Sequence, residues 1–189
     1  MGSLQTGSSV CLDLDPGTGV RVLGLPPGMV RLREYTPLWA ELFEIEAAQI
    51  RAVLGDLALG VEHVGSTAVP GLRAKPILDI AVAVRTRDLL SLYAAHLAEL
   101  GYEHASHIEL ENDFVFEKGI DRTHHLHLVE LESREWRDYL RFRNTLRANE
   151  PLAREYERIK IELGVRFHGN RRCYTSAKTL FIRHVLSSA

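Results

Sequence analysis

The run from Val61 to Val84, VEHVGSTAVPGLRAKPILDIAVAV, constrains this chain more than any other part of it. Val61 to Val64 is a short apolar strand that stops on Gly65-Ser66. A loop marked by Pro70-Gly71 and Lys75-Pro76 follows, and Ile77 to Val84 forms a second strand. Alternation places Asp79, Ala81 and Ala83 on one face of that strand and Ile80, Val82 and Val84 on the other. Glycine after a strand lets the backbone approach a ligand, because no Cβ intervenes. The hydroxyls of Ser66 and Thr67 can donate to a phosphate oxygen. Successive N–H groups in such a turn form an anion-binding concavity. Asp79, returning beside the turn, is of the type that holds Mg²⁺ against substrate phosphates. Lys75 and Arg73, on the loop between, would neutralise phosphate charge. The same residues also admit a plain reading: a turn, a loop stiffened by prolines, and a carboxylate capping a neighbour.

Around this run the spacing predicts an α+β order. A short strand is expected at Val30 to Arg33, then a helix from Thr36-Pro37 to about Leu54, with Pro at the first helical position. Thr86 to Leu100 reads as a helix stopped by Gly101. Phe114 to Glu117 and His124 to Glu130 read as a hairpin turning near Gly119. Three helices follow, at Ser133 to Ala148, Pro151 to Leu163 and Arg172 to Leu186. The chain has 189 residues, 46% of them hydrophobic, which suits a single domain over 29–189. The Gly- and Ser-rich residues 1–28 read as a loose arm. A net charge of −2 supplies no global drive toward nucleic acid or a membrane. No apolar run reaches membrane-spanning length, and no signal-peptide layout is visible. Cys11 and Cys173 match no disulfide framework, so a reducing cytoplasm is expected.

The string from His63 to Ile80 resembles, without a gap, the pattern H-[IV]-G-S-T-[AS]-V-P-G-L-x-A-K-P-[IL]-[IL]-D-[IL] of the GrpB family. The resemblance continues through HHLHLVE at His124 to Glu130, YLRFRNTLRANEPLAREYERIK and YTSAKTLFI, covering about Val30 to Leu186. It implies a small mixed sheet like that of the polymerase-β-like nucleotidyltransferases, flanked by helices, with a helical C-terminal half. Their shared signature is Gly-Ser or Gly-Gly, a spacer, then Asp-hydrophobic-carboxylate. Here the second carboxylate falls at Ala81, which cannot bind metal. One Mg²⁺ arriving with the nucleotide, ATP for choice, is then expected at Asp79 instead of two held ions.

The strand His124 to Glu130 stands where those enzymes carry a third carboxylate. His125 and His127 share a face, and if that strand adjoins Ile77 to Val84 they share it with Asp79. His125 would contact phosphate and His127 would act as a general base. The two imidazoles with Asp79 could otherwise bind Zn²⁺ or Fe²⁺, or simply be hydrogen-bonded polar residues. Alternation puts Glu130 on the leucine face. His63 is expected to be structural. In the helical half the resemblance makes Arg143, Tyr174 and Lys178 ligand contacts. Arg137, Arg141 and Lys160 could reach a phosphate, whereas Trp136, Tyr139, Leu140, Phe142 and Tyr156 read as core. The expected function is nucleotide-dependent transfer, either nucleotidyl transfer or adenylation of a small molecule. Its alternatives are a non-catalytic nucleotide binder and a mononuclear metal enzyme.

Overall fold

The computed structural model describes residues 14, 15, 17, 19–108 and 112–188. Five strands and five helices follow in the order α1 (Leu38–Leu54), β1 (Gly60–Val64), β2 (Leu78–Val84), α2 (Leu90–Ala98), β3 (Tyr102–His104), β4 (Phe114–Lys118), β5 (His124–Glu130), α3 (Arg134–Ala148), α4 (Glu150–Arg166) and α5 (Arg171–Ser188). The strands form one mixed sheet in the order β1-β2-β5-β4-β3. Only β2 and β5 run parallel; the other neighbours are antiparallel. The parallel pair needs a long crossover, which α2, β3 and β4 supply.

The strand pattern decides what each face meets. Val61, Ile80, Val82, Leu126, Leu128 and Phe116 share one face and form the main core with Trp39, Phe43, Ala47 and Ile50 of α1 and Tyr93 and Leu97 of α2. The opposite face carries Glu62, Asp79, His125, His127 and Glu117, aligned by register, with Asp79 beside His125 and His125 beside Glu117. The C-terminal helices cover this polar face, with a smaller core of Val69, Leu72, Phe142, Leu146, Tyr156 and Val185.

Several boundaries follow local chemistry. Helix α1 begins one residue beyond Pro37, with the Thr36 hydroxyl accepting from the Leu38 N–H at 3.4 Å. Ser133 caps α3 by accepting from Trp136 N at 3.1 Å, and Asn149 caps α4 by accepting from Leu152 N at 3.0 Å. The expected strand at Val30 to Arg33 reduces to a single bridge between Arg33 and Ala74. The helix expected from Thr86 starts only at Leu90, because the Thr86 hydroxyl and Asp88 hydrogen-bond to each other and close a turn. Strand β3 was not expected, since three residues carry no legible period.

In the arm expected to be loose over 1–28, the stretch Val22 to Leu25 is packed. Val22, Leu23 and Leu25 are buried, and the indole of Trp39 donates to the Val22 carbonyl at 3.1 Å. The remaining residues of the arm lie outside the described ones. Among the described residues, no helix is long and apolar enough to cross a membrane.

Candidate functional site

The parallel pairing of β2 with β5 builds the site. It sets Asp79 against His125 and Ala81 against His127, so the carboxylate and both imidazoles share one face as the alternation required. The chain leaving β1 crosses directly beside Asp79. Gly65 has φ 68° and ψ −166°, and a Cβ there would lie 2.8 Å from the Asp79 Cβ and 2.9 Å from its Cγ. Glycine is therefore required twice, by the backbone angle and by the approach to Asp79. Ser66 opens the single 3₁₀ turn that follows and is half-buried.

Asp79 keeps 32% of its side chain exposed. Burial opposes its charge more than any other single influence. The hydrogen bond from His125 and the charges of His125, His127 and Lys75 together outweigh it and hold the carboxyl well below the usual carboxylate range. His125 Nδ1 lies 3.4 Å from Asp79 Oδ1, and Arg171 Nη2 lies 2.7 Å from His125 Nε2. A guanidinium only donates and a carboxylate only accepts, so a neutral His125 that accepts from Arg171 at Nε2 carries its proton on Nδ1, toward Asp79. Two buried atoms beside this ring lack hydrogen-bond partners, Glu117 Oε1 and Arg171 Nη1. Glu117 Oε1 stands 3.2 Å from His125 Nε2, and Arg122 Nε stands 3.2 Å from Glu117 Oε2.

Lys75, Lys160 and Arg171 lie within reach of the Asp79 charge. Lys75 Nζ lies 5.6 Å, and Lys178 Nζ 4.9 Å, from the centroid of the same Tyr174 ring. Burial, and then the charges of Lys178 and Arg171, push the Lys75 pKa well below its ordinary value. Lys160, fully buried against the Tyr156 ring, donates to the Arg73 carbonyl, and burial with Lys178 nearby lowers its pKa to about 7. Arg171 enters because Asn170 caps α5, accepting from Cys173 N at 3.0 Å.

His127 faces a different partner. Its Nδ1 is 2.7 Å from Asp113 Oδ2, and the Tyr139 hydroxyl reaches the same oxygen at 2.6 Å. Burial lowers the His127 pKa most, yet Asp113 and Asp79 more than offset it and leave the group raised.

Some expected contacts fall elsewhere. Thr67 is not free to hold phosphate, because its buried hydroxyl pairs with His63 Nε2 at 3.0 Å and the Ile77 carbonyl at 3.3 Å. Arg143 does not reach the phosphate side; its Nη1 binds Glu62 at 2.6 Å and the His63 carbonyl at 2.8 Å, bracing α3 on β1. Arg137 and Arg141 line a separate cleft with Arg183 of α5. His63 is structural as expected, stacked on Phe43 with centroids 4.7 Å apart, and burial lowers its pKa to about 4. Tyr139, expected in the core, belongs to the site. Asp113, Arg171 and Glu117 were not singled out from sequence, although Glu117 was detectable as the hairpin neighbour of His125. Among the described residues no three His, Cys, Asp or Glu side chains are placed to hold a metal ion. The Asp79–His125–His127 transition-metal alternative is not assembled, because Arg171 occupies one nitrogen of His125 and Asp113 occupies one of His127.

A mixed five-stranded sheet with a helical cover and one polar face, on which Asp79 and Glu117 flank His125, defines an α+β protein. The pattern described as GrpB protein matches residues 29–188, and the chain belongs to the GrpB family. The glutamate-rich protein GrpB of Alkalihalophilus pseudofirmus is 33% identical over 172 residues, covering 88% of this chain and 99% of that one. A UPF0157 protein of Streptomyces coelicolor is 35% identical over 173 residues, 91% of each chain. The crystal structure of GrpB from Enterococcus faecalis superposes with a TM-score of 0.77 at 35% identity, over 84% of this chain and 96% of that one. A shorter stretch of 86 residues, 44% of this chain, is 33% identical to part of the dephospho-CoA kinase of Mycobacterium tuberculosis, of which it covers 21%.

Proposed function

We propose that this chain is a nucleotide-dependent transferase that binds a nucleoside triphosphate, ATP for choice, by its phosphates at the Gly65-Ser66 turn. One observation carries the reading: Lys75 and Arg171 lie within reach of the Asp79 charge, and Lys178 shares the Tyr174 ring with Lys75. Lys75, which burial and the charges of Lys178 and Arg171 hold below its ordinary pKa, is kept beside them at a cost, and a polyanion removes that cost. Buried, unpartnered Arg171 Nη1 is a further donor for such an anion. Asp79, ionised and partly exposed, fits one Mg²⁺ carried in with the phosphates. Such an ion would shield phosphate charge, while the lysines and Arg171 orient the triphosphate over the turn.

A second reading, binding without catalysis, has its own observation. Ala81 is fully buried, so the position of a second metal-binding carboxylate is closed. Thermal unfolding with ATP, with and without Mg²⁺, tests both. Ligand at 100 times its Kd stabilises by about 2.7 kcal/mol. Stabilisation with pyrophosphate release supports transfer, and stabilisation without release supports binding alone. No stabilisation by any nucleoside triphosphate refutes both.

A further inference from the structure

We infer that Asp113 and Tyr139 position His127 as the proton acceptor for a hydroxyl-bearing second substrate, a deepening that rests on the nucleotide-transfer reading above. Asp113 is 3% exposed and sits immediately before β4, where it faces His127 across the strand pair. Its Oδ2 stands 2.7 Å from His127 Nδ1. Tyr139 reaches over from α3 to donate to that same oxygen, with its own oxygen 2.9 Å from Nδ1 and its ring tilted against the imidazole at 4.8 Å. A carboxylate accepts, so the Nδ1 proton is held and Nε2 is left as the basic nitrogen. Among the described residues no hydrogen bond occupies Nε2.

The groups facing His127 are few. Asp113 and Tyr139 hold Nδ1, and Asp79 acts across β2. Its register neighbours Ala81 and Val115 are apolar, and His125 lies two residues along its own strand. Asp79 and its cations therefore lie on the face where His127 offers a free nitrogen.

A positioned base discriminates between acceptors. A carboxylate is already ionised at neutral pH and attacks phosphorus without a base. A hydroxyl is not, and must lose its proton as it attacks. The Asp113–His127 pair is idle in adenylation of an acid and useful in nucleotidyl transfer to an alcohol. In that transfer the hydroxyl oxygen forms a bond to the α-phosphorus, the bond from that phosphorus to the pyrophosphate oxygen breaks, and pyrophosphate leaves. The hydroxyl proton passes to His127 Nε2, and Asp113 stabilises the imidazolium until the proton returns to water.

NMR of ¹⁵N-histidine-labelled full-length chain tests the positioning directly. The wild type is expected to show His127 protonated on Nδ1, with Nε2 titrating. In Asp113→Asn, which keeps the shape of the side chain, the His127 midpoint moves to lower pH. In Tyr139→Phe, where Asp113 no longer shares its oxygen, the midpoint moves to higher pH. The second variant serves if the first does not fold. Pyrophosphate release from ATP with Mg²⁺ is then compared with glycerol and with acetate as acceptors. Glycerol is expected to support release, with a loss of about 10²–10⁴-fold in Asp113→Asn and unchanged stabilisation by ATP. An Nε2-protonated wild type, an unmoved midpoint, or release with acetate but not glycerol overturns the proposal alone. Absence of ATP stabilisation in the wild type removes the nucleotide reading, and this proposal with it.

Discussion

Gly65→Ala separates the demands that the turn makes on its glycine. At φ 68° and ψ −166° the backbone occupies a region open essentially to glycine alone, and another residue there costs about 1–3 kcal/mol. The new methyl would also stand 2.8 Å from the Asp79 Cβ and closer still to Oδ2. Overpacking of that kind costs about 1–3 kcal/mol. The sum, about 2–6 kcal/mol, is a large share of the roughly 5–15 kcal/mol that holds a domain together. Gly71 is the matched control. It too has positive φ, 76°, but a Cβ there meets nothing within 4 Å, so Gly71→Ala loses only about 1–2 kcal/mol. Urea unfolding of both variants, extrapolated to water, measures the difference. Asp79→Gly made in the Gly65→Ala background removes the Cβ as well as the carboxylate that the new methyl meets, so it should recover the steric part and leave the backbone part, giving a coupling of about 1–3 kcal/mol. Equal losses at Gly65 and Gly71, or no coupling with Asp79, would refute the close approach of the turn to the carboxylate.

Three further outcomes follow from the packing and charges. His63 has a folded pKa of about 4 against an ordinary 6.5, so the unfolded chain takes its proton first; stability falls by about 3 kcal/mol as pH drops through that window, and His63→Gln should flatten the urea midpoint between those pH values. Glu46 is buried and accepts from Lys118 at 2.8 Å and 2.9 Å; Glu46→Leu alone should cost about 3–5 kcal/mol by stranding the ammonium, and Glu46→Leu with Lys118→Leu should recover most of it, read as a double-mutant cycle. Lys75→Met removes a cation repelled by Lys178 and Arg171; the unliganded chain should be no less stable in thermal unfolding, whereas its stabilisation by ATP should shrink.

The sheet was legible in the sequence because its signals are local. The apolar runs at Val61 and Ile77 and the alternation of His125 and His127 fixed strands and faces before any pairing was known. The placement of Asp79 beside the histidines needed only the adjacency of β2 and β5. The partners of those histidines were not legible. Arg171 and Asp113 reach His125 and His127 from the start of α5 and from the residue before β4, and no short spacing joins them. Tyr139 read as core because an aromatic at helical spacing usually is. Thr67 looked like part of a phosphate turn, but its neighbour in space, His63, claimed the hydroxyl. Arg143 was drawn to the ligand by family likeness, while Glu62, exposed by alternation on the same face, was its nearer counter-ion.

The alanine at position 81 and the positioning of His127 have one structural cause. The two register neighbours of Ala81 are Glu62 and His127. Arg143 holds the first and Tyr139 packs on the second, and both belong to α3, so the helix crosses directly over Ala81. The same helix rests on Gly60, where a Cβ would press to 2.9 Å from the Trp136 ring and 3.5 Å from the Ala83 Cβ. Gly60, Ala81 and Ala83 are small because a helix sits on them. A carboxylate at position 81 would be dry beneath the helix and would have to displace its packing, costing several kcal/mol. Closing that position is what brings the Tyr139 hydroxyl to Asp113 and His127. On the nucleotide-binding reading proposed above, Lys75, Lys178 and Arg171 would supply the positive charge that a second ion would otherwise bring to a triphosphate.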